Sequence, residues 1–137
     1  MKISVVVPVY NEEATVEEVV ARLAALPLDL EILVVDDASS DGTPAAVERA
    51  RQRHAAVRRV IRHPANRGKG AAVRTGLAEA SGEVAVIQDA DLELDPEQIG
   101  DLVAPIERGE ADAAYGTRFA AGHPGGAWTS YAANRCG

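Results

Sequence analysis

Cysteine is almost missing from this 137-residue chain, where Cys136 stands alone. No internal disulfide can form, which excludes a disulfide scaffold. Three scattered histidines, His54, His63 and His123, lack the spacing with it that a zinc finger requires. A reducing compartment is the simplest setting for such a chain. Long hydrophobic runs are missing too. The longest early one, Ile3 to Val9, is interrupted by Ser4 and Pro8 and followed by Asn11, Glu12 and Glu13, too short for a signal peptide or a membrane span. Lysine occurs only as Lys2 and Lys69. No Gly-x-x-x-x-Gly-Lys-[Ser/Thr] phosphate loop occurs, and the turn Gly68-Lys69-Gly70 is not a dinucleotide fingerprint, because Val73 holds the place of the third glycine.

The residues that are present describe one soluble globular domain, 47% hydrophobic and 26% charged. At about 150 residues a domain buries roughly 70% of its unfolded surface, so the core needs neither a disulfide nor a structural metal. A formal net charge of -7 argues against a nucleic-acid partner. The charge is unevenly spread: nine acids fall in residues 1–41, one in 42–78 and eleven in 79–112, while nine of the 14 basic residues lie between Arg49 and Arg74. An acidic protein with one basic segment suits an anionic small ligand, and equally a solvated helix face beside an edge strand.

Strand-like and helix-like segments alternate from the first residues. Ile3 to Pro8, Glu31 to Asp36, Val57 to His63 and Glu83 to Gln88 are short and rich in β-branched residues, and a fifth strand is expected from Asp112 to Phe119. The first, second and fourth read as strands buried on both faces, and Arg58, Arg59 and Arg62 suit an edge. Between them Val16, Val19, Val20, Leu23 and again Ile99, Leu102, Val103, Ile106 follow helical spacing. Thr43-Pro44 opens another helix and Lys69 to Ala80 supplies a fourth, while Pro105 predicts a kink or early end in the last. This alternation predicts an α/β fold: a Rossmann-like, doubly wound, mostly parallel sheet with right-handed crossovers and helices on both faces. Residues 1–119 are expected to form this α/β domain. Residues 120–137 read as a loop and the start of an incomplete region, with a helix expected around Ala133 to Gly137.

Ligands of open α/β sheets bind beyond the carboxyl ends of the strands, and here those ends carry mostly acids. Tyr10-Asn11-Glu12 follow the first strand, Asp36-Asp37 with Ser39, Ser40 and Asp41 the second, Asp89-Ala90-Asp91 the fourth, and Thr117-Arg118 fall near the end of the fifth. Two carboxylates two residues apart repel unless a cation lies between them. Oxygen ligands from Asp91, Glu93 and Asp89, the last through water or a ribose hydroxyl, would suit Mg2+ or Mn2+ and leave positions open for a diphosphate. The alternative is a solvated loop with Asp95 capping a helix that opens at Pro96. Leu94 and Gly100 exclude an EF-hand, since they occupy its glycine and closing-glutamate positions. Asp37 is placed to accept a donor from a base or ribose, or else serves with Asp41 as a turn and N-cap residue. Gly68 and Lys69 open a helix whose N-terminus could hold phosphate.

Five segments together resemble the family 2 glycosyltransferases, and among them the polyprenyl-phosphate (dolichol-phosphate) mannosyl- or glucosyltransferases: Val5-Val6-Val7-Pro8-Val9-Tyr10-Asn11-Glu12, Val34 to Thr43, Asn66-Arg67-Gly68-Lys69-Gly70, Asp89-Ala90-Asp91-Leu92 and Tyr115-Gly116-Thr117-Arg118-Phe119. Their order and spacing are the family's, from Ile3 to about Phe119. The resemblance implies a GT-A fold, C-terminally truncated, and a metal-dependent inverting transfer of a hexose from a UDP- or GDP-linked donor to a polyprenyl or dolichyl phosphate. It implies that Pro8, Tyr10, Glu12 and Asp37 line the base and ribose pocket. Asp89 and Asp91 would be the Asp-x-Asp pair, with Glu93 standing where related sequences often have glutamine. Arg118 would approach the diphosphate or acceptor phosphate, and Lys69 the sugar-phosphate side. It further implies a cytoplasmic protein, peripheral at the cytoplasmic face of the membrane. The near alternatives are a polysaccharide acceptor and a noncatalytic nucleotide-binding fragment. Ile32 to Asp37 also resembles the acidic strand end of a signalling receiver. A receiver, however, needs a lysine late in the domain, and none follows Asp89.

Overall fold

The β-branched runs form the strands of one sheet. The computed structural model describes residues 2–91, 96–107, 113–117 and 128–134. Four parallel strands, β1 (Ile3–Val9), β2 (Leu30–Asp36), β3 (Val57–Arg62) and β4 (Val84–Gln88), are joined by β5 (Ala113–Thr117) and β6 (Trp128–Asn134) in the order β3-β2-β1-β4-β6-β5. Strand β6 runs antiparallel to both β4 and β5, so β5 points the same way as β4. The sheet is thus mostly parallel and doubly wound, as expected.

Alternation along each strand divides the core. Val5, Val7, Ile32, Val34, Val84 and Val86 join the helices α1 (Val16–Ala24), α2 (Thr43–Arg53) and α4 (Ile99–Glu107) on one face. Val6, Leu33, Val35 and Ile87 meet α3 (Lys69–Glu79) on the other. The predicted stripe Val16, Val19, Val20 and Leu23 is the buried face of α1, and Pro44 sits in the first turn of α2, where no N–H is needed. Helix α3 changes face because the chain changes direction: β1 pairs with β2 on one side and with β4 on the other. That reversal is the topological switch point, where such folds bind ligands.

One expectation needs correcting. Ala133 and Asn134 do not start a helix; they end β6, with Ala133 paired to both Ala85 and Ala113. Alanine favours helix in isolation, but an open slot between β4 and β5 offers ladder bonds along both edges of the segment and decides the outcome. Helix α4 runs past Pro105 to Glu107. A proline there removes one donor toward the preceding turn, and the helix ends two residues later.

At the N-terminal edge of the sheet Glu31, 3% exposed, collects a polar cluster. Its carboxylate accepts hydrogen bonds from the Ser4 hydroxyl and from the Ser81 N–H and hydroxyl, and pairs with Arg58 at 2.7 Å and Lys2 at 3.5 Å. This satisfied ion lies at the end opposite the candidate site.

Candidate functional site

Pro8 lies inside β1, where its missing N–H could break the ladder. The Ile3 N–H donates toward β2, to Asp29 O at 2.9 Å, so alternation aims the Pro8 nitrogen at β4. The β1–β4 pairing stops at Val6 with Ile87. The proline therefore falls where no bond is asked of it, and the strand continues to the loop Tyr10-Asn11-Glu12. Tyr10 is 46% exposed at this rim.

That loop is laced to the one after β2. Asn11 adopts a left-handed conformation, φ 52°. Its N–H donates to Ser39 Oγ at 2.9 Å, and its Oδ1 accepts from the Ser40 N–H at 2.9 Å. The Glu12 N–H donates to Thr43 Oγ1 at 2.8 Å, and Thr43 in turn donates both its N–H and its hydroxyl to Asp41 Oδ1. Gly42, not Asp41, is the N-cap of α2, yet the Asp41 carboxylate serves the capping function from one residue earlier.

Asp36 and Asp37 are both buried. Asp36 accepts the Ser39 N–H and hydroxyl and lies 3.3 Å from Arg62 Nη1. Asp37 accepts the Arg67 and Gly68 N–H groups at 2.8 Å each and sits 2.8 Å from His63 Nδ1, whose other ring nitrogen is 2.8 Å from Thr75 Oγ1. Burial alone would raise the Asp37 carboxyl, but the hydrogen bonds from His63, Arg67 and Gly68 outweigh it and hold the group below its ordinary range. An ionised carboxylate offers about four acceptor sites, and three of these are filled from within the chain. Asp37 therefore anchors the loop that leads into α3. Gly68, with φ 94°, occupies a conformation that a side chain rarely tolerates, and from it Lys69 starts the helix.

Beyond β4, Asp89 and Asp91 meet these groups. Lys69 Nζ lies 2.5 Å from Asp89 Oδ1. The Thr15 hydroxyl, at the N-cap of α1, donates to the Ala90 carbonyl and lies 3.3 Å from Glu12 Oε2, which ties the Asp-Ala-Asp turn to the β1 loop. Burial raises the Glu12 carboxyl, Thr15 opposes the shift, and the charges of Asp91, Asp89 and Asp41 raise it further. Glu12 thus reports one shared negative field, built from residues up to 79 positions apart in the sequence. Among the described residues no three potential ligands converge at metal distance. Two aspartates with a lysine ammonium standing in as the local cation do fit Mg2+ or Mn2+, which usually take one or two carboxylates and complete their shell with phosphate and water. Glu93, Asp95 and Arg118 lie outside the described residues. Arg118 follows Thr117, the last residue of β5, and Gly116 and Gln88 both pair with Ser130, so that strand ends on the same edge as β4.

Sequence reasoning brought Tyr10, Glu12, Asp37, Gly68, Lys69, Asp89 and Asp91 to one edge, and the structure places them there. It missed the supports His63 and Thr15, and it set Ser39 on the rim and Thr43 at a helix start without their bonds to the Asn11 and Glu12 N–H groups. His63 carried one usable signal, a histidine at the end of an edge strand on the same rim as the acids; the others depend on loop-to-loop pairing.

A mostly parallel sheet in this strand order, with acids from three strand ends gathered at the switch point, defines a GT-A type α/β domain. Residues 4–134 match the family described as Glycosyl transferase family 2, and the chain belongs to it. The dolichol-phosphate mannosyltransferase of Pyrococcus furiosus is 39% identical over 133 residues, covering 96% of this chain and 37% of the relative. A mannosyltransferase from Pyrobaculum calidifontis, solved in complex with GDP-Man and Mn2+, is 40% identical with a TM-score of 0.61, over 65% of this chain and 27% of that one. S. aureus TarS in complex with UDP is 32% identical with a TM-score of 0.70, over 82% and 34% of the two chains. The chain spans little more than a third of the length of the curated relative. Membership of this family, with Asp36 and Asp37 engaged by neighbouring side chains, removes the receiver alternative.

Proposed function

We propose that this chain is the donor-binding part of a metal-dependent, inverting glycosyltransferase that moves a hexose from a UDP- or GDP-linked donor to a polyprenyl or dolichyl phosphate. The observation that carries the reading is the convergence of Glu12, Asp89, Asp91 and Lys69 at the switch point of a family 2 domain. Relatives and neighbours support it. One is named for dolichol phosphate, one is solved with GDP-Man and Mn2+, and one with UDP.

In this reading Pro8, Tyr10, Glu12 and Asp37 shape the pocket for base and ribose, with Tyr10 exposed enough to stack on a base. Asp89 and Asp91 hold Mg2+ or Mn2+, with Glu93 as a further oxygen ligand. When bound, the ion supplies charge neutralisation for the departing diphosphate. Lys69, Gly68 and Arg118 add donors and positive charge on the phosphate side. An acceptor phosphate oxygen attacks the anomeric carbon on the face opposite the diphosphate; the new C–O bond forms as the bond to the diphosphate breaks, with inversion. The acceptor needs no strong general base, because a phosphate ester has a second pKa of about 6 and is mostly ionised at neutral pH. No helix of the described residues is long and apolar enough to cross a membrane. A lipid-phosphate acceptor would bring the chain to the cytoplasmic membrane face from outside the bilayer.

Calorimetric titration of UDP, GDP, UDP-glucose and GDP-mannose with Mn2+, with and without chelator, tests the proposal. One nucleotide should bind in a metal-dependent way, and Asp91→Ala should weaken it at least about tenfold. Metal-independent binding that is unchanged in Asp91→Ala would reject the site. Transfer from the identified donor to a polyprenyl phosphate rather than to a polysaccharide, assayed in a full-length relative, would decide the acceptor.

A further inference from the structure

The contact between Lys69 and Asp89 goes beyond ordinary surface pairing. Lys69 Nζ stands 2.5 Å from Asp89 Oδ1, with the lysine side chain 53% exposed and the aspartate side chain 12%. Lys69 is the first residue of α3 and follows Gly68, whose φ of 94° sets the direction in which the helix leaves the loop. That loop is fixed in turn: the Gly68 and Arg67 N–H groups are held by Asp37, and His63 braces Asp37 from behind. The base of the lysine is therefore rigidly mounted, while its ammonium is half in water at the end of a flexible four-carbon stem. Nearby, burial raises the Glu12 carboxyl and the charges of Asp91, Asp89 and Asp41 add to it, so the anion that Lys69 meets at Asp89 belongs to a shared acidic cluster.

We infer that Lys69 is an exchangeable cation: it occupies Asp89 while the site holds neither metal nor donor, and transfers to the donor diphosphate as a divalent ion takes its place. This rests on the metal-dependent reading above. A half-exposed ion pair is held weakly, so the exchange is cheap once another anion is offered. A diphosphate is such an anion, and a lysine at the start of a helix is well placed to meet it. Before the nucleotide arrives, however, a divalent ion must displace the ammonium from Asp89 and then lie close to its positive charge. The metal is thereby admitted together with the nucleotide rather than ahead of it.

Mn2+ binding to the 137-residue chain, read from the loss of the free-ion EPR signal at pH 7 and without nucleotide, separates the possibilities. Lys69→Met should bind Mn2+ about tenfold tighter than the unsubstituted chain. Lys69→Arg, which keeps the charge, should not. Added nucleotide should tighten Mn2+ binding strongly in the unsubstituted chain and much less in Lys69→Met. Thermal melts of each variant confirm the fold. Equal Mn2+ affinity in Lys69→Met and the unsubstituted chain, with Asp89→Asn still abolishing binding, would overturn the exchange and leave the metal site standing. Mn2+ binding that survives both Asp89→Asn and Asp91→Ala would overturn the exchange and the metal site together.

Discussion

Glu31 and Asp37 show how a buried carboxylate does different work at the two ends of one strand. Burial would raise the Glu31 carboxyl, but hydrogen bonds from Ser4 and Ser81 and the charge of Arg58 pull it from an ordinary 4.5 to about 2. A carboxyl depressed on folding contributes stability that is complete above its unfolded value and lost as pH falls toward the folded one. Urea unfolding of the unsubstituted chain and Glu31→Gln should therefore differ most above about pH 5, by at most about 3 kcal/mol, and converge as pH approaches 2. A gap independent of pH would show that packing, not charge, holds that end together. Asp37 is committed to Arg67, Gly68 and His63 instead, and so positions the phosphate-side loop. The acids themselves were legible in the sequence because they follow apolar runs directly. Their partners were not, since nothing local links His63 to Thr75 or Thr15 to Ala90.

Helix α3 carries the element-scale argument. Its start delivers Lys69 to the site, and its body presses on the sheet through Gly76, where an added Cβ would stand 2.3 Å from Val6 Cγ1. Gly76→Ala should destabilise the chain by about 1 to 3 kcal/mol, because the contact is with a buried, branched side chain that cannot swing clear. A denaturation midpoint equal to that of the unsubstituted chain would show that α3 can lift off the sheet without cost. If it does lift, nucleotide affinity should fall even at unchanged stability, since the same helix carries Lys69. Period, β-branching and the Thr43-Pro44 start signal placed the starts of the four helices and five of the strands to within about two residues. Strand β6 escaped, because its end Ala132-Ala133-Asn134 lacks β-branched residues and is held in the sheet by β4 and β5 on either side.

For the whole molecule, the decisive feature is the reversal at β1. It puts α3 on one face and α1, α2 and α4 on the other, and opens the sheet edge where Glu12, Asp37, Lys69, Asp89 and Asp91 meet. A doubly wound sheet with the acids on one rim followed from alternation and from where the acids fall; which helix takes which face did not. The insertion of β6 between β4 and β5 did not, because strand order beyond the first crossovers depends on pairings that no sequence window contains. In the proposed function these acids hold a divalent ion against a nucleotide diphosphate. Its most direct test is an anomalous difference map from crystals of the chain grown with Mn2+ and the nucleotide that calorimetry selects. One peak is expected at Asp89 and Asp91 beside the nucleotide, with the Lys69 ammonium moved off Asp89. A bound nucleotide with no peak at Asp89 and Asp91, and Lys69 still paired to Asp89, would contradict it.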